Sequence, residues 1–393
     1  MSLAASAAYL LLTVPLLLRE VHSFVSTSGM SIQKQGHPSK NIGGRQRYGL
    51  ALQSGLDTTT NSVTSSTSAE GGGFAYSIQP LSGESEDVWK YLSIAAHETD
   101  MRVVKSNPDL KRYAQDFADD GIGFVALQDD GDTVKSLGAA WVRFWSDENR
   151  GYGFVRNDVP ELAIGVDLTG KGIGSKLLEA LIDELSLRKI PALSLSCLDD
   201  NPALRLYKRL RFQPVAGTEV FNPIGGKSFS MILWLPQVRQ ATEDDLPLIM
   251  NFIQKKATFD RDIGSFQGTT SVTEESLKES LFGKIAHARV LLAEIDGKAI
   301  GFALHYFRFS SFAGRPNLWL DDLYVDAESR SCGAGKKLLE ELQSIGRQQN
   351  CTHLGWTADA ENHKGLAFYH RLGARITETN DRSHILRLDL NEQ

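Results

Sequence analysis

The chain contains two glycine-rich stretches that follow one plan, Thr169-Gly170-Lys171-Gly172-Ile173-Gly174-Ser175-Lys176 and Arg330-Ser331-Cys332-Gly333-Ala334-Gly335-Lys336-Lys337. Each stretch follows an apolar, strand-like run and precedes an amphipathic helix. Glycines let the backbone turn tightly, so that successive N–H groups converge at the helix N-terminus. Such a group of N–H donors binds a phosphate or pyrophosphate. The sequence therefore predicts two places that hold a phosphate-bearing cofactor.

Neither stretch has the glycine spacing of a dinucleotide-binding fingerprint or of a Walker loop. A second motif accompanies both of them. Asn201 follows Gly174 by 27 residues, and Asn362 follows Gly335 by the same 27 residues. Each asparagine starts a helix that contains a tyrosine. The repeated spacing indicates that one structural unit is built twice.

Residues 76–393 divide into two halves of nearly equal length, 76–236 and 237–393, each long enough for one domain. Both halves have the same order of elements: a strand, helices, a hairpin, a strand, the glycine loop with its helix, a strand, a second helix and two final strands. Asp296-Gly297 between two apolar runs is typical of a hairpin turn. This order predicts an α/β fold in which a mixed sheet carries helices on both faces, repeated in tandem.

Composition limits the partners that we expect. The net charge is −6, so the sequence gives no reason to expect nucleic acid or an anionic membrane. Three scattered cysteines are too few for a disulfide framework, and no metal-ligand spacing occurs, so we expect no metal. Oligomeric state leaves no signal in the sequence.

The N-terminal region has the composition of a targeting sequence. Residues 1–23 contain an apolar run of the length of a signal peptide, and residues 24–75 are rich in Ser, Thr and Gly with more basic than acidic residues. A signal peptide followed by a basic segment that begins with Phe24 resembles the bipartite presequences of algae with complex plastids. We expect plastid targeting for this reason, and the alternative is the secretory pathway.

The paired motifs resemble the GNAT superfamily of acetyl-CoA-dependent N-acetyltransferases over essentially all of residues 76–393. Arg330, Gly333 and Gly335 match the family pattern Arg/Gln-x-x-Gly-x-Gly/Ala. The resemblance implies two GNAT-type domains, each with a mixed, mostly antiparallel sheet, and acetyl-CoA as the co-substrate. It implies that the second half binds the cofactor through Leu323, Val325, Arg330, Gly333, Ala334, Gly335, Lys336 and Asn362. In the first half it implies Ile164, Val166, Thr169, Gly170, Gly172, Gly174, Ser175 and Asn201.

The first half departs from the family pattern. Thr169 stands where Arg or Gln is expected, and the connection from the strand to the loop is two residues shorter than in the second half. Arg211 replaces the glycine that usually follows the second helix. The first half therefore has two open interpretations: a working acetyltransferase, or a domain that kept the fold and lost catalysis.

Transfer of an acetyl group to an amine requires a proton acceptor, and a carboxylate is the natural one. Glu161, Asp321 and Asp322 lie on the strands that lead into the glycine loops. Counted back from Val166 and Val325, strand alternation places Glu161 and Asp322 on the same face, so Asp322 is favoured over Asp321. The alternative is that these acids end a strand or pair with a surface lysine.

A phenol that protonates the departing thiolate is the second requirement. The resemblance implies this role for Tyr369 and Tyr207, whose alternative is core packing. Backbone N–H groups near Ile164 and Leu323 are candidates to polarise the acetyl carbonyl. Because the cysteines have no evident His–acid partner, we expect direct attack by the amine in a ternary complex.

The acceptor is a primary amine of a small molecule or of a protein. Gly301-Phe302-Ala303-Leu304-His305-Tyr306-Phe307 and residues 318–325 resemble the diamine and thialysine acetyltransferases, which implies a small, polyamine-like substrate attracted by the acidic pair. Ala360-Glu361-Asn362 departs from those enzymes, which usually have an aromatic residue before the asparagine. The first half is similar to uncharacterised bacterial acetyltransferases and implies no substrate.

Overall fold

The computed structural model describes residues 75–390, except 82, 84, 116, 118–120 and 222–225. The expected signal peptide and transit segment lie outside the described residues, apart from residue 75 itself. Helices in the described part of the chain are too short or too polar to cross a membrane.

The first half forms one mixed sheet with helices on both faces. Its strands are β1 (Ser77–Pro80), β2 (Gly123–Asp129), β3 (Val134–Arg143), β4 (Glu161–Val166), β5 (Ala192–Leu198), β6 (Gln213–Pro214), β7 (Val220–Phe221) and β8 (Lys227–Trp234). Its helices are α1 (Glu86–Ala95), α2 (Met101–Ser106), α3 (Pro108–Lys111), α4 (Ile173–Leu187) and α5 (Leu204–Arg209). The sequence predicted two final strands, whereas the structure has the short β6 and β7 before β8, both paired with β8.

The second half repeats the plan. Its strands are β9 (Gln237–Gln240), β10 (Arg289–Ile295), β11 (Lys298–Ser310), β12 (Arg315–Val325), β13 (His353–Asp359), β14 (Arg375–Thr379) and β15 (Ser383–Asp389). Its helices are α6 (Leu246–Asp262), α7 (Glu274–Phe282), α8 (Ala334–Gln348) and α9 (His363–Arg371). A short 3₁₀ helix, Ala327–Ser329, connects β12 to the glycine loop.

The two sheets have matching strand orders. The first runs β1-β2-β3-β4-β5-β8-β6, and the second runs β9-β10-β11-β12-β13-β15-β14 in the same direction. Neighbouring strands are antiparallel except β4 with β5 and β12 with β13, which a helical crossover joins in parallel. The tandem α/β fold with mostly antiparallel sheets that the sequence predicted is confirmed.

Leucines on α4 and α8 belong to a buried apolar cluster in each half. In α4 the buried residues recur at helical spacing along one face, and α8 buries the corresponding residues. Burial of each leucine contributes about 1.5–3 kcal/mol as an upper estimate. The leucines that are fully buried against the sheets are Leu177, Leu178, Leu181 and Leu185 in α4, and Leu338, Leu339 and Leu342 in α8. This packing fixes the start of each helix, and with it the glycine loop, against the sheet.

The halves contact each other through polar groups. Arg156 Nη1 donates to Asp296 Oδ1 at 2.6 Å. Lys337 Nζ, in the first turn of α8, donates to the carbonyl oxygen of Ser186, in the last turn of α4, at 3.2 Å. The Lys337 ammonium therefore lies at the C-terminal, negative end of the α4 dipole, which stabilises this contact between the halves.

Candidate active site

The parallel strands in the middle of each sheet separate after they begin. In the second half, β12 and β13 pair at Leu318 with Leu354 and at Trp319 with Gly355, although β12 continues to Val325. In the first half, β4 and β5 pair at Glu161 with Ser194. The separation leaves a wedge beside the later residues of β4 and β12. An extended ligand could pair there as an added strand.

The candidate pantetheine contacts all lie in these diverging segments: Ile164 and Val166 on β4, and Leu323 and Val325 on β12. They are partly buried and pack against the cluster beneath α4 or α8. The wedge therefore has an apolar floor, and among the described residues no pairing with β5 or β13 is formed along these segments.

Both glycine loops end at a helix N-terminus, as the sequence predicted. Gly170 and Gly172 have φ values of 76° and 78°, and Ser331 and Gly333 have 64° and 96°, so left-handed residues alternate with others. Gly172 and Gly333 are the N-cap residues of α4 and α8. The first N–H groups of a helix have no acceptor inside it. This alternation directs successive N–H groups toward one point, which suits an anion.

The last glycine of each loop, Gly174 or Gly335, faces the second helix of its half. A Cβ atom on Gly335 would lie 3.2 Å from the ring of Phe368 on α9, and one on Gly174 would lie 3.6 Å from Leu206 on α5. Glycine at position 335 therefore lets α9 approach the start of α8 closely, whereas 3.6 Å at position 174 is an ordinary van der Waals distance. This approach places the tyrosine-bearing helix beside the loop.

The two loops differ in how they attach to the sheet. Arg330 Nε donates to the carbonyl oxygen of Val325 at 3.1 Å, and its guanidinium lies over the ring of Phe259, 4.9 Å from the centroid. In the first half, Thr169 stands at this position and the connection is two residues shorter. The Arg330 side chain thus secures the second loop from within the protein.

Other candidate cofactor contacts have protein partners. Lys336 lies 3.6 Å from Asp183 of the first half, and Ser175 Oγ accepts a hydrogen bond from Arg209 at 2.9 Å. Asn362 is the N-cap residue of α9, and its Oδ1 accepts from the N–H of Gly365 at 3.0 Å. Asn201, which the sequence predicted to start α5, lies in the turn before the N-cap Ala203, and its Oδ1 accepts from the N–H of Ala203 at 2.8 Å.

A β-bulge in β12 determines which way Asp321 and Asp322 face. Leu304 lies opposite Asp322 and His305 lies opposite Leu320, so Asp321 is the extra residue. Asp321 is exposed, whereas the Asp322 side chain is 25 % exposed and lies 3.6 Å from Lys256 Nζ on α6. Burial raises the pKa of Asp322 above its ordinary value. Of the two, Asp322 is the one that forms an ion pair with Lys256.

Lys256 also contacts Asp260 one turn further along α6, where its Nζ donates to the carboxylate. Asp260 in turn acts on Tyr369: burial raises the pKa of the Tyr369 phenol to about 12, and the nearby negative charge of Asp260 is the second cause. The Tyr369 ring packs on Trp356 with 4.9 Å between centroids. Asp322, Lys256, Asp260 and Tyr369 therefore form one electrostatically linked group.

Sequence reasoning missed Lys256 and Asp260. Their signal was a lysine and an aspartate four residues apart on a helix. That pattern is common on exposed helix faces, so it becomes informative only once α6 is seen beside β12.

Glu161 in the first half is enclosed. It is 2 % exposed and accepts hydrogen bonds from Tyr113 Oη at 3.0 Å, Trp145 Nε1 at 2.8 Å and the N–H of Gly153 at 2.7 Å. Burial raises its pKa from 4.5 to about 7, although the three donors favour the charged form. A Cβ atom on Gly151 would lie 2.0 Å from the carboxylate, so only glycine permits this loop to close over it.

Tyr207 lies in an apolar setting. It is buried, packs against Phe212 with 5.7 Å between ring centroids, and has a pKa well above its usual range because of burial. The group that acts on it electrostatically is the Cys197 thiol, whose own pKa burial raises to about 11. Tyr207 thus differs from Tyr369, which has a carboxylate nearby. Within the described residues, no group of three or more His, Cys, Asp or Glu side chains could hold a metal ion.

Comparison with known proteins agrees with this geometry. The chain is 27 % identical to a thialysine N-epsilon-acetyltransferase of Bos taurus over 39 % of this chain and 91 % of that protein. It is 26 % identical to a spermidine/spermine N(1)-acetyltransferase-like protein 1 of Homo sapiens, over 40 % of this chain and 23 % of that protein. These relatives confirm the expected kinship with thialysine acetyltransferases.

Solved structures of similar chains include an integron cassette protein from the mobile metagenome of V. cholerae, at 25 % identity and a TM-score of 0.31. It covers 37 % of this chain and 89 % of its own. The family model described as Acetyltransferase (GNAT) family matches twice, at residues 88–212 and 259–374. Because these two matches span more than half of the chain and contain both glycine loops, the protein belongs to the GNAT family of acetyltransferases.

Proposed function

We propose that this enzyme transfers the acetyl group of acetyl-CoA to a primary amine of a small molecule, and that the second half is the catalytic domain. The observation that carries the proposal is the linked group of Asp322, Lys256, Asp260 and Tyr369 beside the wedge of β12 and β13. Small amines are favoured as acceptors because the relatives named above include a thialysine acetyltransferase.

Each candidate residue has a chemical task. An alkyl ammonium has a pKa of about 10.4, so its deprotonation near neutral pH costs about 4 kcal/mol. Asp322 accepts this proton, directly or through water. The amine nitrogen then bonds to the acetyl carbon while the carbon–sulfur bond breaks, and the second proton that the nitrogen loses as the amide forms replaces the one that Tyr369 gives up. Tyr369 gives its proton to the departing sulfur, and a pKa of about 12 keeps the phenol protonated until then.

Main-chain groups hold the co-substrate in this proposal. The N–H groups at the start of α8, from Gly333 to Lys336, bind the diphosphate, and the open side of β12 from Leu323 to Val325 pairs with the pantetheine arm. Attack is direct in this proposal: Cys197 and Cys351 are buried and burial raises the pKa of both thiols. The third cysteine, Cys332, is half-buried within the glycine loop that is proposed to hold the diphosphate.

The first half is proposed to bind CoA or support the second half without turnover. The observation that favours this assignment is the enclosure of Glu161 by Tyr113, Trp145 and the loop at Gly151–Gly153. The first half keeps the divergence of β4 from β5 and the left-handed glycines of its loop. These are the features that are proposed to bind the cofactor in the second half.

The N-terminal residues 1–75 are proposed to carry the chain to a plastid. The support is compositional: an apolar run, then a basic segment that begins with Phe24. Fusion of these residues to a fluorescent protein in an alga with a complex plastid tests this, and fluorescence in the medium or the secretory pathway would contradict it.

Calorimetry with acetyl-CoA tests the binding part of the proposal on the whole chain. Gly172→Asp and Gly333→Asp place a carboxylate in one loop each, and a Cβ at these positions meets nothing closer than 3.8 Å. Asp also tolerates left-handed φ better than most residues. We expect Gly333→Asp to weaken binding at the second site and to abolish turnover, and Gly172→Asp to leave turnover intact.

Acetyl-CoA consumption with a panel of small amines and lysine peptides tests the acceptor; turnover of peptides alone would contradict a small-molecule amine.

A further inference from the structure

Lys256 occupies an unusual position for a lysine in a site that is proposed to bind amines. Its Nζ lies 3.6 Å from Asp322 Oδ1 and donates to the carboxylate of Asp260. The lysine side chain is 20 % exposed, and the Asp260 side chain is 22 % exposed. An ammonium of the protein itself therefore lies between two carboxylates, where an ammonium of the substrate would otherwise be attracted.

Among the described residues, three carboxylates and one ammonium interact at this point. Asp260, Asp321 and Asp322 contribute three negative charges, and Lys256 contributes one positive charge that acts on both Asp321 and Asp322. Without the lysine, the site would suit a linear molecule with two ammonium groups, one at Asp322 and one at Asp260. With the lysine in place, the second ammonium must displace Lys256 or lie beside a like charge.

We infer that Lys256 is a specificity-determining residue, an internal ammonium that selects amines with one cationic nitrogen against linear diamines and polyamines. The inference rests on the proposed function and narrows its substrate class. It also limits the polyamine-like substrate that the acidic pair alone suggested. Lys256 also lowers the pKa of Asp322, an effect that all acceptors share, so the ratio of kcat/KM values for two acceptors reports what the lysine does at Asp260, at the remote end of the acceptor.

The test is steady-state kinetics of the purified chain with two acceptors that have the same five-carbon chain, n-pentylamine with one amine and cadaverine with two. We expect the unaltered chain to have the higher kcat/KM for pentylamine. Lys256→Met keeps a long side chain and removes the charge, and we expect it to shift the ratio of the two kcat/KM values toward cadaverine by about tenfold, equivalent to about 1.4 kcal/mol.

Two control variants separate this effect from others. Lys256→Arg keeps the positive charge and should keep the preference for pentylamine. Lys278→Met removes one positive charge from α7, where Lys278 pairs with Glu243 in an exposed position, and should leave the ratio unchanged. Thermal melting of each variant shows whether it is folded.

The outcomes are distinguishable. Turnover of both amines with the same ratio in Lys256→Met and the unaltered chain would overturn the inference and leave the proposed function intact. An equal shift in Lys278→Met would also overturn it, because a general charge effect would then explain the result. Turnover of neither amine nor of any other small amine by the unaltered chain would overturn the proposed function and this inference with it.

Discussion

Ala163 and Asp322 hold the same place in the two sheets. Ala163 lies opposite Trp141 on β3, Asp322 lies opposite Leu304 on β11, and each is the third residue before the valine that pairs with an equivalent glycine. The first half thus has a methyl group where the second has its candidate proton acceptor. Glu161 shares that face but lies two residues earlier on the strand. The halves therefore share a backbone register but not the candidate proton acceptor.

Replacement of Asp322 tests the proton acceptor. We expect Asp322→Asn to lower kcat/KM about a hundredfold or more, the usual contribution of general base catalysis. Since burial raises the pKa of Asp322, the unaltered enzyme should lose kcat/KM as the pH falls through that raised value, where the carboxylate takes up a proton. A pH profile of both proteins measures this. Asp321→Asn is the matched control, and a larger loss in that variant would contradict the assignment.

Replacement of Tyr369 tests the proton donor. We expect Tyr369→Phe to lower kcat about a hundredfold, because the phenol is removed while the ring remains packed on Trp356. Calorimetry should give the same affinity for acetyl-CoA as in the unaltered chain. Tyr207→Phe makes the same chemical change in the first half and should leave kcat within about twofold. Comparable losses in both variants would show that the first half also turns over.

The sequence was sufficient to predict the fold because its signals are local. The strand before the first glycine loop was expected at residues 161–166, and the structure has Glu161–Val166. The hairpin at Asp296-Gly297 and the left-handed glycines of the loops follow from turn chemistry that neighbouring residues decide. The short β6 and β7 were missed because two-residue strands leave no periodic pattern.

The site was less predictable because its signals are not local. The bulge at Asp321 depends on how β12 pairs with β11, and Lys256 reaches Asp322 from an element 66 residues earlier. Likewise, the enclosure of Glu161 requires Tyr113 and Trp145, which no spacing connects to it. Alternation along β12 favoured Asp322 over Asp321, and the count back from Val325 reaches Asp322 before it meets the bulge at Asp321.

The buried carboxyl of Glu161 should make stability depend on pH. Its pKa is raised from 4.5 to about 7 in the folded state, so between these values the folded chain keeps a proton that the unfolded chain has released. The free energy of unfolding should therefore be highest below this window and fall by roughly 2–4 kcal/mol as the pH rises through it. Urea unfolding across the window measures the change.

Glu161→Gln should remove this pH dependence, whatever its effect on absolute stability. Glu179→Gln is the control, because Glu179 is an exposed glutamate that pairs with Lys176. A pH dependence in Glu161→Gln equal to that of the unaltered chain would show that the carboxyl is not the source.

The ends of α5 and α9 differ in one residue whose cost can be measured. Arg211 has φ of 72° and Gly373 has φ of 83°, and both end their helix with the same pair of backbone hydrogen bonds. A left-handed conformation is unfavourable for arginine and free of strain for glycine.

We expect Arg211→Gly to raise the free energy of unfolding by about 0.5–1 kcal/mol. Gly373→Ala should lower it by about 1 kcal/mol. A Cβ on Gly373 would meet no atom within 4 Å, so the cost in that variant comes from the backbone conformation alone. Urea unfolding of both variants measures the two changes, and a destabilised Arg211→Gly would show that the arginine side chain contributes more than its backbone costs.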